Sequence, residues 1–355
     1  MRLVFLFTAF VFAFATAQAQ LGDRIRHFLV GDTAAPPDHD TAYIATYNQD
    51  LTISLLSSYR LASLDITDTS GHSVTYTTNN AVQYGAGITY KWLSVDGTIS
   101  IPALDAADPA FGKTRSRSIG AGLTARRLWI RAFWNKTSGY YPEQPAAVSQ
   151  GWKEGDPIPV RPDLTTETVM ASVNYALSKK RRFSQNAALW QMERQSRSAG
   201  TWVLGGAFWF TDLRADSSVV PVRDSVAFSP VARIDRAKRV LLGATVGYTH
   251  TFVFWRTGFI HFSLMAGAAS RDQRLRTASD GAWVSSNGIS SLSEFKLGAG
   301  YNGDRWYTAL TTAFFLNSDG EEESVRLGST YGTVRFAVGV RFGKPNIRGM
   351  EKVGL

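Results

Sequence analysis

The chain of 355 residues contains no cysteine. No disulfide can hold its fold, no thiolate can serve as nucleophile or metal ligand, and a lipoprotein anchor, which is built on cysteine, is excluded. Beyond the first twenty residues no apolar run approaches the roughly 18 residues that a membrane-spanning helix requires. No P-loop, dinucleotide fingerprint or H-E-x-x-H motif occurs, so no cofactor or metal is expected. Anionic residues are in deficit, 29 Asp and Glu against 38 Lys and Arg, giving a formal charge of +9. No nucleic-acid motif accompanies that excess, and it is assigned to loops, rim and lumen rather than to a nucleic-acid partner.

What is present begins with MRLVFLFTAFVFAFATAQAQ. A single positive charge at Arg2, an apolar stretch from Leu3 to about Ala15 and the A-x-A arrangement Ala17-Gln18-Ala19 read as a secretory signal cleaved after Ala19. The expected organisation is a signal over 1–19, a periplasmic segment over 20–48, a β-barrel over 49–342 and a periplasmic tail over 343–355. Within 20–48, LGDRIRHFLVGD suggests a short helix and APPDHD a turn.

Composition favours a barrel: 31 Gly, 10 Trp, 13 Tyr and 21 Phe accompany a near-neutral mean hydropathy. A transmembrane barrel hides its membrane signal in alternation, with one face of each strand toward lipid and the other toward the lumen. From 333 to 342, Val334, Phe336, Val338, Val340 and Phe342 oppose Thr333, Arg335, Ala337, Gly339 and Arg341. Trp306, Leu310, Phe314 and Leu316 likewise oppose Arg305, Tyr307, Ala309, Thr311 and Ala313. The preceding strand sets Phe295, Leu297, Ala299 and Tyr301 against Glu294, Lys296, Gly298 and Gly300, and Asn302-Gly303-Asp304 supplies the turn. Near the start, Leu51, Ile53 and Leu55 oppose Asp50, Thr52 and Ser54. Gly recurs on the polar faces, where it makes room for long neighbouring side chains, and aromatics recur at strand ends, as membrane-interface girdles require. A soluble sandwich strand also alternates, so a soluble secreted β-rich protein stays as an alternative.

Thirteen candidate strands lie near 49–62, 80–92, 94–102, 115–126, 127–139, 164–177, 183–193, 199–213, 239–253, 258–270, 288–301, 303–317 and 327–342. Bacterial single-chain barrels use an even number. Outer loops are expected over 140–163, 214–238, 271–287 and 318–326, and tracing from the two ends clashes between 164 and 238. Either two candidates there are one, giving twelve, or the stretch 217–234 hides another, giving fourteen. Twelve is preferred within a range of ten to fourteen. The fold class is therefore all-β, an antiparallel up-and-down transmembrane barrel, expected as a monomer in the outer membrane of a Gram-negative bacterium.

DTAYI at 40–44, YKWLSVDG at 90–97 and FSQNAALWQMERQSRSAGTWVLGG at 183–206 resemble an uncharacterised family of outer-membrane β-barrels from the Bacteroidetes, described only as a domain of unknown function. The resemblance spans about 38–342. It implies fold and location, and carries over no catalytic residue.

The third of these motifs breaks the alternation rule. Gln185, Gln191, Glu193 and Gln195 lie on one face of the expected strand, and Ser184, Asn186, Arg194 and Ser196 on the other. Such a strand cannot face lipid along its length. It forms an unusual rim and turn, entering the membrane only partly or covered by an inward-folded loop, or it forms a polar site with Arg197 and Ser198.

Chemistry-bearing residues are few. His261-Phe262-Ser263 resembles the His-x-Ser pair of outer-membrane phospholipase A, in which a lipid-facing Ser is activated by the His. Here the apolar neighbours Ile260, Phe262, Leu264 and Ala266 put His261 and Ser263 on the inward side, and the Asn-Gly that follows the family's Ser is missing. His250 reads as an interfacial anchor, while Asp38-His39-Asp40 cannot aim three adjacent side chains at one metal. The broader pattern is a charged lumen: Lys91, Arg126, Arg127, Arg131, Lys296, Arg305, Arg335 and Arg341 against Asp50, Asp96 and Glu294. These residues form either a paired polar plug or a cation-lined passage for anionic solutes. The expected function is thus a non-enzymatic narrow pore or binding scaffold with a basic lumen. A lipid-modifying enzyme of phospholipase or acyltransferase type is the alternative. Expected partners are outer-membrane lipid, the barrel-assembly machinery during biogenesis, and an anionic solute.

Overall fold

The computed structural model describes residues 39–343, apart from 69, 80–81, 102–103, 105–107, 125–126, 150, 179–180, 221–227, 230–231 and 321–324. The expected signal over 1–19, most of the expected segment over 20–48, the expected tail from 344 onward and Arg126 lie outside the described residues.

The period-two patterns become long antiparallel strands: β1 (Ile44–Thr46), β2 (Thr52–Asp68), β3 (Ser73–Thr77), β4 (Val82–Tyr90), β5 (Leu93–Ser100), β6 (Arg115–Thr124), β7 (Leu128–Pro142), β8 (Arg161–Ala176), β9 (Glu193–Gln195), β10 (Ala199–Arg214), β11 (Ile234–Phe254), β12 (Gly258–Thr277), β13 (Trp283–Asn302), β14 (Trp306–Asp319) and β15 (Val325–Arg341). One five-residue helix, α1 (Gln185–Leu189), precedes β9. Twelve strands form the barrel wall in the order β2-β4-β5-β6-β7-β8-β10-β11-β12-β13-β14-β15. The ring closes where β15 pairs with β2, from Arg341 opposite Thr52 to Val325 opposite Asp68.

The outer surface is apolar. Leu55, Trp202, Leu242, Leu264, Ile289, Leu310 and Phe336 all project outward and are exposed. A closed ring leaves no unpaired strand edge, which is the condition for backbone to cross hydrocarbon. The protein is an outer-membrane β-barrel. Apart from the segment between β8 and β10, its connections are short at one end, two residues between β4 and β5 and three between β11 and β12, and mostly longer at the other. In such barrels the short turns face the periplasm. The short-turn end is therefore the periplasmic one.

Inner-face glycines accommodate large neighbours. A Cβ on Gly122 would lie 2.9 Å from a guanidinium nitrogen of Arg131, and one on Gly339 would lie 2.3 Å from the Tyr307 ring.

The wall is not uniform along its axis. At the loop end β3 pairs with β2 from Ser63 to Thr67, and with β7 at Tyr76 and Thr77. One strand there stands in for the three strands β4, β5 and β6, so twelve strands narrow to ten.

Three expectations are corrected. Residues 183–193 are not a wall strand but lie inside the barrel, as α1 and the start of β9, and this removes the odd thirteenth strand. The expected loop 271–287 is almost all strand, with only 278–282 connecting β12 to β13, and β10 and β11 take up both ends of the expected loop 214–238. The short strands β1, β3 and β9 went unforeseen. Lipid-facing alternation ends with the membrane, whereas the hydrogen-bonded ladder continues into water.

Candidate functional site

The periplasmic mouth is closed by the chain itself. Between β8 and β10 the polypeptide turns into the lumen, where Ser184 caps α1 by accepting a hydrogen bond from the Ala187 N–H at 3.1 Å. All five residues of α1 are buried. Past it, β9 pairs with β1, Ile44 opposite Gln195 and Thr46 opposite Glu193, so that both segments sit in the mouth as one plug.

Much of the polar motif is bonded from within. Glu193 accepts from Ser184 and forms a buried pair with Arg181 at 2.6 Å. Gln195 accepts from the Ser184 N–H at 3.0 Å and donates to the carbonyls of Arg182 at 2.6 Å, Arg197 at 3.0 Å and Tyr43 at 3.2 Å. The Asn186 carbonyl accepts from the N–H groups of Trp190 and Met192. Gln191 adopts φ 53° and donates to the Ala188 carbonyl at 2.8 Å. Ser198 accepts from the Val253 N–H at 2.9 Å, and the Arg197 guanidinium lies 5.8 Å from the Tyr43 ring centre.

The wall holds the plug by side chains that reach its backbone. Asn302 donates to the carbonyls of Ala187 at 3.1 Å and Glu193 at 2.9 Å. Arg341 donates to Gln191 O and to Asn302 Oδ1, both at 2.7 Å, and packs 3.7 Å over the Tyr47 ring. Arg335 donates to the Leu189 carbonyl at 3.3 Å. Tyr47 lies below the membrane-spanning wall; burial, partly opposed by the nearby Arg194 and Arg341 charges, pushes its phenol up to about 12.

Above α1 lies a cavity of about 170 Å³. Gln185, Leu189 and Trp190 form its floor. Its charged lining consists of Arg60, Arg131, Lys296 and Arg335 against Asp96 and Glu294. Arg131 pairs with Asp96, and Lys296 with Glu294. Arg60 donates to Tyr331 Oη and Thr98 Oγ1, both at 3.0 Å. The Nε of Arg335 is buried without a hydrogen-bond partner. Two cations therefore exceed the local carboxylates. Phe133, Trp209, Phe315 and Tyr331, with Met170, Leu241 and Leu292, form an aromatic and aliphatic layer over the cavity.

Beyond that layer, Asp319 bridges Arg239 and Arg271, the latter at 2.8 Å, with all three side chains buried. The loop-end mouth is then filled by an apolar cluster that includes Ile66, Tyr76, Leu164, Leu213, Val219, Val220, Phe228 and Ile234. The Tyr76 hydroxyl donates to the Val219 carbonyl at 2.6 Å, which ties the long β10–β11 connection into the mouth.

Of the residues singled out in the sequence, the structure brings Asp96, Arg131, Glu294, Lys296 and Arg335 together around the cavity and places Arg341 against the plug. Lys91 and Arg127 stand in turns rather than on the inner wall, and Arg305 is exposed in the β13–β14 turn. These three are corrections: positions at a hairpin bend escape the in-out alternation that assigned them. Arg60 was missed although it shares the inward parity of Thr52 and Ser54. Arg239, Arg271 and Asp319 were missed as a group, because two of them fell in expected loops and the third next to one.

His261 and Ser263 both face inward on β12. His261 is fully buried and stacked on Phe183 at 6.1 Å, with Nδ1 2.9 Å from Thr251 Oγ1 and Nε2 3.5 Å from Thr249 Oγ1. Ser263 Oγ is buried without a hydrogen-bond partner. Their surroundings are the plug and the wall, not lipid. His250 faces outward among Tyr248, Phe252 and Phe262.

A family model described as a domain of unknown function, DUF4421, matches residues 38–342. No curated protein matches the chain. Among solved structures, the outer-membrane protease OmpT from Escherichia coli is similar at 8% identity and a TM-score of 0.38, covering 83% of this chain and 98% of its own. The COG4313 outer membrane channel from Pseudomonas putida F1 is similar at 9% identity and 0.34, covering 87% and 100%. The P. putida toluene transporter TodX gives 8% identity and 0.27, covering 90% and 98%. The barrel is established by its own closed ring of strands, not by these likenesses.

Proposed function

We propose, for a chain that belongs to the DUF4421 family of unknown function, a plugged, non-enzymatic barrel that holds a small organic anion in its lumen. One observation carries this reading: a cavity between two closures, in which four cations face two carboxylates beside several aromatic rings. Excess positive charge in a poorly solvated pocket favours an anionic group, and the rings favour an apolar body attached to it. Arg335, whose Nε has no protein partner, is the contact expected to meet the anion. Passage through the barrel requires the α1 plug to leave the periplasmic mouth. The plug is then the gate, and the cavity the solute's resting place.

Bilayer recording tests this directly. The intact protein should show little conductance. Replacing residues 184–192 by a flexible Gly-Ser segment should open discrete, anion-selective channels, because rings of Arg and Lys select anions. Cation selectivity of the opened barrel would overturn the basic-lumen reading. Quenching of tryptophan fluorescence by benzoate, but not by uncharged benzamide, is the matching equilibrium result. Equal quenching by both would remove the anion from the proposal.

A further inference from the structure

On the outside of the wall, at the loop-end limit of the apolar belt, the register of β10, β11 and β12 assembles a basic cluster that the lumen reading does not use. Asp212 lies opposite Lys238, which lies opposite Arg274; one step higher, Arg214 lies opposite Arg236, which lies opposite Arg276. Below them on β10 and β11, Phe208 and Leu242 are exposed to lipid, while β12 carries outward Asp272 and Ser270 before it turns apolar at Ala268. The sequence thus changes from apolar to charged within a few outward-facing positions on three adjacent strands.

The internal pairing leaves cationic surface over. The Asp212 carboxylate is only 2% exposed and lies beneath Arg214 and Arg236, bonded to the first and 3.8 Å from the second. It holds both guanidiniums in place without covering their outer sides, since the Arg214 side chain stays 50% exposed. Arg276 is fully engaged by Asp235 through two contacts of 2.8 and 2.7 Å. Arg274 is 61% exposed and 3.7 Å from an equally open Asp272, a pairing that water screens. Lys238 is exposed, its amino group 5.8 Å from the Trp283 ring centre. Four cations, Arg214, Arg236, Lys238 and Arg274, therefore share one patch with three carboxylates, Asp212 beneath them, Asp272 beside Arg274 and Glu167 opposite Asp212 on β8. The neighbouring strand β13 carries uncharged Ser285 and Asn287 opposite β12, so the patch has an edge.

We infer that this patch is a binding site for the phosphate headgroup of an anionic membrane lipid in the outer leaflet. The chemistry is complementary at both ends of such a lipid. Acyl chains lie along Phe208 and Leu242, and the phosphate arrives at the height where the cations begin. Guanidinium groups give phosphate oxygens directed paired hydrogen bonds, and a cluster held near a membrane surface attracts anionic lipid more strongly than separate charges do. Bound phosphate also offsets the positive charge that Asp212, Asp272 and Glu167 leave over. This site is independent of the cavity and of the anion proposed for it.

The test uses the full barrel reconstituted in phosphatidylcholine vesicles, with and without a fraction of phosphatidylglycerol. The readout is the temperature at which the compact gel band converts to the unfolded one. Phosphatidylglycerol should raise that temperature by on the order of several degrees, and added salt should cancel the gain. The variant Arg214→Gln/Arg236→Gln/Lys238→Gln/Arg274→Gln should lose the gain while still folding in phosphatidylcholine. Should it not fold, Lys238→Gln/Arg274→Gln, which leaves the Asp212 contacts whole, should halve the gain. An equal gain in wild type and variant, or no gain in wild type, overturns the proposal. So does the same gain from inorganic phosphate in neutral detergent, which would make the patch a site for the free ion.

Discussion

The guanidinium of Arg131 on β7 lies 3.5 Å from the centre of the Trp190 ring, at the tip of the plug. The same guanidinium is paired with Asp96 on β5. The plug is therefore seated on an ion pair that belongs to the wall, and Arg335, 4.9 Å from the same ring, flanks it from β15. A desolvated cation–π contact contributes about 2 kcal/mol.

Trp190→Ala should accordingly loosen the plug without disturbing the barrel. Brief anion-selective openings should appear in bilayer recordings where the wild type is quiet, while the heat-dependent gel shift is kept. Trp190→Phe, which preserves a ring, should restore most of the closure.

Asn302 is the second fastening, because its amide reaches two plug carbonyls while its oxygen receives Arg341. Asn302→Leu strands those groups in a buried place, at a cost of about 1–3 kcal/mol. Thermal unfolding in detergent should shift downward. Trypsin should also cut after Arg181 or Arg182, which the seated plug protects.

Asp319 is the shared counter-ion of Arg239 and Arg271. Asp319→Asn leaves two buried guanidiniums without their carboxylate, and about 3–5 kcal/mol of stability should be lost. Denaturant titration measures this. The triple change Arg239→Met/Arg271→Met/Asp319→Leu should recover much of it, since the desolvation of the ions disappears along with their attraction.

Asp68 stands at the loop end of β2, beyond the membrane-spanning part of the wall, and anchors the β10–β11 connection by accepting from the Ser229 N–H at 2.8 Å. Burial alone would raise its carboxyl. Hydrogen bonds from the Ser70 hydroxyl and from the amides of Ser229, His72 and Ser70 more than offset that, and the net shift is downward. A depressed carboxylate contributes stability that is complete above the usual carboxylate range and is lost as pH falls through the folded value. Hydrogen exchange at the Ser229 amide should therefore stay slow from neutral pH into the usual carboxylate range and accelerate below it. Asp68→Asn should abolish this pH step.

The wall was legible because lipid enforces a strict rule on it. Val334, Phe336, Val338 and Val340 could face only outward, and that parity fixed Arg335 and Arg341 as inward. The rule is silent wherever both faces of a strand are wet. Arg271, Gln273 and Leu275 continue β12 above the membrane, beside outward Asp272, Arg274 and Arg276, and such a mixture reads as a loop. It is silent also inside the lumen. In FSQNAALWQMERQ, Ser184, Gln191, Glu193 and Gln195 bond mainly within the segment and to its immediate neighbours, while Gln185 lines the cavity, a pattern that shows no period. The failure of alternation between 183 and 195 did mark the one long segment that had to leave the wall. Where that segment went depended on partners such as Asn302 and Arg341, far away in sequence.

The seam between β2 and β15 sets the order of events when the barrel is made. Its two strands are 17 residues each and stand at opposite ends of the wall's sequence. Every other wall contact between neighbouring strands can form while the chain is still emerging, but this one must wait for the last strand. Until then two long edges with exposed amides and alternating Leu, Ile, Val and Phe side chains face whatever surrounds them. Such edges recruit other chains in water. The yield of intact barrel is thus a race between seam closure and edge-to-edge aggregation, and it is won where the open sheet is met by lipid or by a chaperone that masks both edges.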